Sequence, residues 1–146
     1  MIRRNKQLFR HEPWNDIFGD CHRTAISCLL GLAPHEVPHF IQQEMESDGY
    51  WRELQNAWLA ERGFVLLTSY YDGECLSLTK LLSVLEGCNG SQPAILGGRS
   101  PRGLDHSVVY LGRGAIWDPS EFGGGLVGPL SNGLWEVNYL GVRLQA

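Results

Sequence analysis

Long apolar runs are missing from this chain. No stretch approaches the ~20 residues that cross a bilayer, and the charged start MIRRNKQLFRHEPW leads into no apolar segment of the kind a secretory signal carries. No basic tract follows Arg3 and Arg4, and the formal charge is −4, which argues against a nucleic-acid partner. Repeats, low-complexity segments and linkers are also lacking, so residues 1–146 are expected to form one domain. Cysteines are few: Cys21, Cys28, Cys75 and Cys88. Their spacing is not that of a disulfide scaffold, and a cytoplasmic setting is expected to keep them reduced. Cys21 and Cys28 would stand about 10.5 Å apart along a helix, beyond disulfide reach.

What the chain does have is an ordinary globular balance, 43% hydrophobic and 19% charged residues, with 18 glycines and 7 prolines to make turns between short elements. Helical spacing of Ala25, Cys28, Leu29 and Leu32 predicts a first helix from about Asp20 to Gly31, with Asp20 as N-cap. Pro34 and Pro38 stop its continuation and allow only a short helical turn after Pro34. A second helix, capped by Ser47 or Asp48 and running to about Arg62, shows the stripe Trp51, Leu54, Trp58. A strand over Phe64–Thr68 follows, then a third helix from Ser77 with Gly87 beyond its end. From Pro93 onward the pieces PAILG, HSVVYLG, AIWDP and LWEVNYLGV alternate with glycine-rich turns and predict strands. The order predicts an α+β fold with one segregated, mainly antiparallel sheet and the N-terminal helices packed on one face of it.

The stretch GDCHRTAISCLLGL sets Cys21 in the first turn of its helix, where open backbone N–H groups and the macrodipole favour a negative charge. Such a setting lowers a thiol pKa and favours the attacking thiolate. A free cysteine is more often a buried hydrophobe, and Cys28, on the apolar face, fits that role. A nucleophile needs a base. His11 and His22 show no orienting partner, and His35 and His39 belong to a proline-rich connector, whereas His106 begins a strand and Asp118 ends the next. If Gly112-Arg113-Gly114 is a three-residue hairpin loop, Leu111 pairs with Ala115 and Val108 faces Asp118. His106 and Asp118 then project from one face as diagonal neighbours, about 7–8 Å apart at Cα. A two-residue loop would put them on opposite faces. An aspartate so placed would orient the imidazole and stabilise its charged form.

Zinc binding and a substrate groove are the competing readings. His35 and His39 form an H-x3-H pair downstream of Cys21 and Cys28, but the cysteine spacing is wider than in usual zinc sites and Pro38 breaks a helical pair. The aromatics Trp14, Tyr70, Tyr71, Trp117 and Trp135 fit a core better than a subsite, and the glycine-rich segment EFGGGLVG fits an ordinary surface connection better than a mobile cover.

With GDCHRTAISCLLGL followed by VPHF, YWRELQNAWLAERG and DHSVVYLGRGAIWDPS, the chain resembles the papain-like cysteine peptidases, in a minimal form similar to the C39-like and NlpC/P60-like groups of bacteria and phages. The resemblance covers about residues 15 to 125. It implies Cys21 as nucleophile, His106 as general base and acid, and Asp118 as orienting residue. It also implies an amide donor before the cysteine: Asn15, six residues upstream, stands where the family has a glutamine, and Gln7 lies farther away. The implied activity is attack on a peptide, isopeptide or amide bond of a peptide or protein substrate, as hydrolase or acyltransferase, with no cofactor. The alternative is a papain-like binding or inhibitory protein without turnover. Oligomeric state is left open by the sequence.

Overall fold

The computed structural model describes residues 1–15, 17–46 and 50–144. It is an α+β fold of four helices and a five-stranded antiparallel sheet. The helices are α1 (Cys21–Leu30), α2 (Phe40–Glu46), α3 (Trp51–Glu61) and α4 (Leu78–Asn89). The strands are β1 (Phe64–Asp72), β2 (Ala94–Arg99), β3 (Asp105–Gly112), β4 (Ala115–Trp117) and β5 (Leu134–Val142), in spatial order β1-β5-β2-β3-β4. Among the described residues no helix is long and apolar enough to cross a membrane.

The sheet is apolar on both faces, and strand alternation shows how. In β2 and β3, Ala94, Leu96, Val108 and Tyr110 pack with Leu81 and Leu85 of α4 and with Trp135 and Val137 of β5. Their neighbours Ile95 and Val109 face the other way and pack with Ala25, Ile26 and Cys28 of α1, Phe40 of α2 and Leu59 of α3. The first three helices thus share one face, and α4, the third helix expected from the sequence, covers the opposite one. The strands PAILG and HSVVYLG carry no polar alternation because water reaches neither side of them.

Several sequence expectations need correction. The first helix stops before Pro34 and the short helical turn after it is present (Pro34–Glu36), but α2, starting two residues after Pro38, was not expected. The proposed caps Ser47 and Asp48 lie outside the described residues, and α3 starts at Trp51 with Tyr50 as N-cap. Its C-terminal boundary agrees with the expected stop near Arg62. Helix α4 runs through Gly87 and ends before Gly90, whose φ of 61° no ordinary side chain adopts readily. The first strand extends to Asp72 and lies ahead of α4, at the far edge of the sheet, so helices and strands are less segregated than the sequence suggests.

The β3–β4 hairpin differs in a way that matters for function. Its turn is a two-residue one: Gly112 pairs with Ala115, and Arg113 (φ 54°) and Gly114 (φ 74°) both take the left-handed conformation that matches strand twist. Alone, that turn would have reversed the faces of His106 and Asp118. A register shift between Tyr110 and Gly112 restores them: beyond it Tyr110 pairs with Ile116 and Val109 with Trp117, the parity in which His106 and the residue after β4, Asp118, share a face and bond. Gly112 is needed here, since its φ is 89° and a Cβ would stand 2.6 Å from the Ser91 carbonyl oxygen. Gly112→Ala is therefore expected to lower unfolding free energy by about 2–4 kcal/mol, combining left-handed strain with overpacking. Urea unfolding of this variant beside Gly114→Ala, where a Cβ meets nothing within 4 Å, separates the two contributions.

Candidate active site

Cys21 is the first residue of α1 and is partly exposed. Asp20 occupies the N-cap position, yet its side chain makes no capping bond. Its carboxylate turns back to accept from the backbone N–H of Leu8 (3.0 Å) and Phe9 (2.9 Å) and from Arg23 Nε (3.0 Å). Two consequences follow. The first-turn amides beside Cys21 receive no side-chain cap from Asp20, and the N-terminal arm is fastened to the start of α1. Gly19 permits a close approach, but of the chain to itself: its N–H donates to His11 Nδ1 (3.1 Å), and a Cβ would stand 2.8 Å from that of His11.

His106, at the second position of β3, bonds through Nε2 to Asp118 Oδ1 at 2.7 Å, with both side chains less than a tenth exposed. That leaves Nδ1 as the ring nitrogen not engaged by Asp118, and Cys21 lies close enough to the imidazole to influence its charge. Burial alone would push the His106 pKa down. The bond to Asp118 and the hydrogen bond and charge interaction with Cys21 outweigh it and raise the value to about 9. Burial would likewise raise Asp118, but the bond to His106 and the N–H groups of Ser120 and Gly125 hold it below the usual carboxylate range. These N–H donors approach to 2.8 and 2.6 Å. Asp118 sits one residue past β4, just before Pro119, where strand pairing stops and the chain curls over its carboxylate.

The three residues line one cavity of about 1040 Å3. One wall is the N-terminal arm, including Gln7 and Leu8. Lys6 Nζ ties that arm to the carbonyls of Asp118 (2.9 Å) and Ser120 (2.7 Å), and Gln7 N–H bonds the Pro119 carbonyl (2.9 Å). The other walls are the loop at Pro101 to Leu104 and the segment from Ser120 to Gly124. These two loops touch where a Cβ on Gly124 would stand 2.8 Å from Pro101 Cγ. The segment EFGGGLVG, read from sequence as an ordinary connection, is thus part of the cavity wall.

Asn15 is not brought to this cavity. It is exposed, and its amide bonds Glu12 Oε2 at 3.3 Å within the 3-10 turn Pro13–Asn15. The amide that does line the cavity is Gln7. Its Nε2 donates to the Phe9 carbonyl (2.6 Å), and its buried Oε1 has no hydrogen-bond partner. Sequence separation hid it, because the arm doubles back before α1. The H-x3-H pair is not assembled with the cysteines. Cys28 is in the core, and His39 bonds the Phe18 carbonyl through Nε2 (2.9 Å). Among the described residues no group of three metal-ligating side chains forms.

His22, which showed no partner in the sequence, is held on the α1 face of the sheet. Its Nε2 meets Gln55 Oε1, its Nδ1 meets Ser107 Oγ (3.3 Å), and its ring abuts Trp51. Burial holds its pKa below the ordinary histidine value, against the opposing bond to Gln55. Each member of this contact is the chain neighbour of a cavity residue: His22 follows Cys21, and Ser107 follows His106.

Comparison of the chain with protein-family models, with curated proteins and with solved structures finds no match.

The charge state of His106 can be read directly. The folded-state value lies above the ordinary 6.5, so the stability it contributes is complete below about pH 6.5 and is lost as pH rises through about 9. Asp118 acts at the other end, its contribution present above the ordinary carboxylate range and lost on acidification through its depressed value. Titration of the His106 ring protons by NMR is expected to give a midpoint near 9 that falls toward 6.5 in both Asp118→Asn and Cys21→Ser. A midpoint near 6.5 in the wild-type chain would contradict this account.

Proposed function

We propose that the chain is a papain-like cysteine hydrolase or acyltransferase acting on a peptide, isopeptide or amide bond. The observation that carries this reading is the single partly buried array of Cys21, His106 and Asp118 at one end of a large open cavity. Cys21 is the nucleophile, His106 the base and acid, and Asp118 the residue that fixes the ring through Nε2 and favours its charged form. The sulfur attacks a carbonyl carbon to form a tetrahedral adduct, and His106 passes its proton to the departing amine. Water or a second amine then attacks the thioester, giving up a proton to His106 and releasing Cys21. The cavity suits a peptide segment better than a small metabolite, being at the upper end of the usual ligand-pocket range of roughly 300–1000 Å3.

The developing oxyanion needs donors. Backbone N–H groups at the start of α1, which Asp20 leaves without a side-chain cap, supply one. Gln7 replaces Asn15 as the side-chain donor: its amide nitrogen has two hydrogens, and the Phe9 carbonyl takes one.

Alkylation by iodoacetamide at pH 6 to 7, with mass-spectrometric assignment, tests the nucleophile. Cys21 is expected to react at least about tenfold faster than exposed Cys75, an advantage lost in His106→Ala. Equal labelling of the two cysteines, with no effect of His106→Ala, would leave the papain-like binding protein without turnover as the better reading.

Gln7 has its own test. Acylation of Cys21 by p-nitrophenyl acetate passes through an oxyanion, whereas alkylation by iodoacetamide does not. Gln7→Ala is expected to slow acylation by about 100-fold and leave alkylation unchanged, while Asn15→Ala changes neither. Loss of both reactions in Gln7→Ala would assign Gln7 a packing role only.

A further inference from the structure

Strand β1 lies at the edge of the sheet and pairs with β5 on one side. The pairing covers all nine residues, from Phe64 opposite Val142 to Asp72 opposite Leu134, with no register shift. From Phe64 to Tyr71 the strand, FVLLTSYY, has no charge, no proline and no glycine. Edge strands are normally blunted by lysine, proline, a bulge or shortness. The opposite edge follows that rule. Strand β4 has three residues, and the N-terminal arm lies beside it, with Trp117 Nε1 bonded to the Asn5 carbonyl at 2.7 Å. Strand β1 has none of these devices.

Leu67 and Tyr70 indicate what kind of contact this edge fits. Both are more than half exposed, at 57% and 51%. Phe64 and Leu66 pack on the core beneath α1 to α3, and alternation puts Tyr70 on that face. Tyr71 packs on the core beneath α4, and Leu67 shares that parity. The two exposed side chains therefore project from opposite faces of one edge. A surface docking flat on either face would reach one of them, whereas a strand added at the edge lies alongside both.

The charges at the ends of the strand select the occupant. Arg143 and Arg62 flank its start, Arg62 being ion-paired with Glu61 (3.7 Å) and bonded to the Trp58 carbonyl (2.9 Å), and Arg143 N–H bonds the Gly63 carbonyl there at 2.8 Å. Asp72 and Glu74 flank its end. In antiparallel self-pairing the start of one strand meets the end of the other, so the basic end of each copy faces the acidic end of its mate while the uncharged centres pair. We propose that two copies of this chain associate by antiparallel pairing of their β1 strands about a two-fold axis near Leu67, joining the two sheets into one of ten strands. The axis sets Arg62 against Asp72 of the second copy and brings the two Leu67 side chains together. The cavity, at the β3–β4 end of each sheet, stays open, and the proposal is independent of the chemistry assigned to Cys21.

Sedimentation over about 1 to 200 µM is expected to show a species of twice the 16.3 kDa chain mass. Leu67→Lys, which sets two like charges side by side at the axis, is expected to weaken dimerisation by at least about tenfold without changing iodoacetamide labelling of Cys21. Hydrogen exchange of the wild-type chain gives a second reading that needs no variant: β1 amides should exchange more slowly at high than at low concentration. A chain that stays monomeric throughout, whatever other strand it captures, overturns the proposal. So does a dimer that keeps its affinity in folded Leu67→Lys, or β1 exchange that is independent of concentration.

Discussion

The carboxylate of Asp118 is the point on which the site depends. One oxygen accepts from His106 Nε2 and Ser120 N–H, and the other from Gly125 N–H. The Asp118 carbonyl accepts from Lys6 of the N-terminal arm. The same residue therefore orients the imidazole, curls the glycine-rich segment into a wall and helps secure the opposite wall. With its side chain 7% exposed, the charge is affordable in the interior only because these donors surround it. The bond between His106 and Asp118 contributes both to the raised pKa of His106, which Cys21 also raises, and to the depressed pKa of Asp118, which the Ser120 and Gly125 N–H groups also lower.

A buried contact on the other face of the sheet holds the remaining distance. Strand alternation turns Ser107 toward α1 and His106 away from it. The Ser107–His22 bond therefore joins β3 to the first turn of α1 one residue along from the pair that would react. Glu136 reinforces the same region from β5: Arg52 of α3 forks onto it at 3.1 and 3.2 Å, and Asn138 donates to it at 3.2 Å. Burial would raise the Glu136 pKa, but the guanidinium outweighs it and keeps the carboxylate charged. Gln55, also on α3, closes the set by meeting His22. Helix α3 thus holds His22, the residue after Cys21, and Glu136 of β5 without reaching the cavity.

Much of this was legible in the chain because it depends on local pattern. The apolar runs of β2 and β3, the helical spacing around Cys28 and the placement of His106 on β3 with Asp118 just past the end of its neighbour β4 all follow from side-chain periodicity. The shared face of His106 and Asp118 was anticipated, but through the wrong turn. A two-residue turn plus a register shift and a three-residue loop have the same parity, and no residue pattern separates them until Gly112 is seen against Ser91. The spacing points to Asn15 and not to Gln7 because sequence distance is informative only along a straight chain, and this arm reverses. Helix α2 was missed because Pro38 argues against continuing a helix but says nothing against starting one two residues later. The position of α4 on the far face could not be read from its own stripe, which is apolar whichever face it covers. The role of Asp20 escaped for a related reason: the residue type suits an N-cap, but backbone donors from Leu8 and Phe9, distant in sequence, compete for the same oxygens.

The N-terminal arm explains why the two edges of the sheet differ. Beside β4 it accepts the Trp117 indole bond at the Asn5 carbonyl and bonds the Pro119 carbonyl through Gln7 N–H, so the chain itself occupies the ground next to that short edge. The same course brings Gln7 to the cavity that Cys21 lines and builds a wall that α1 and the sheet alone would lack. An arm anchored at Asp20, Asp118 and Ser120 is committed to that end of the molecule and cannot also shield β1, whose distance across the sheet is set by β5, β2 and β3 lying between. Closing the cavity and covering the far edge are therefore separate structural problems. The chain solves the first with its own residues, and the uncharged, unbroken length of β1 leaves the second to a strand from outside.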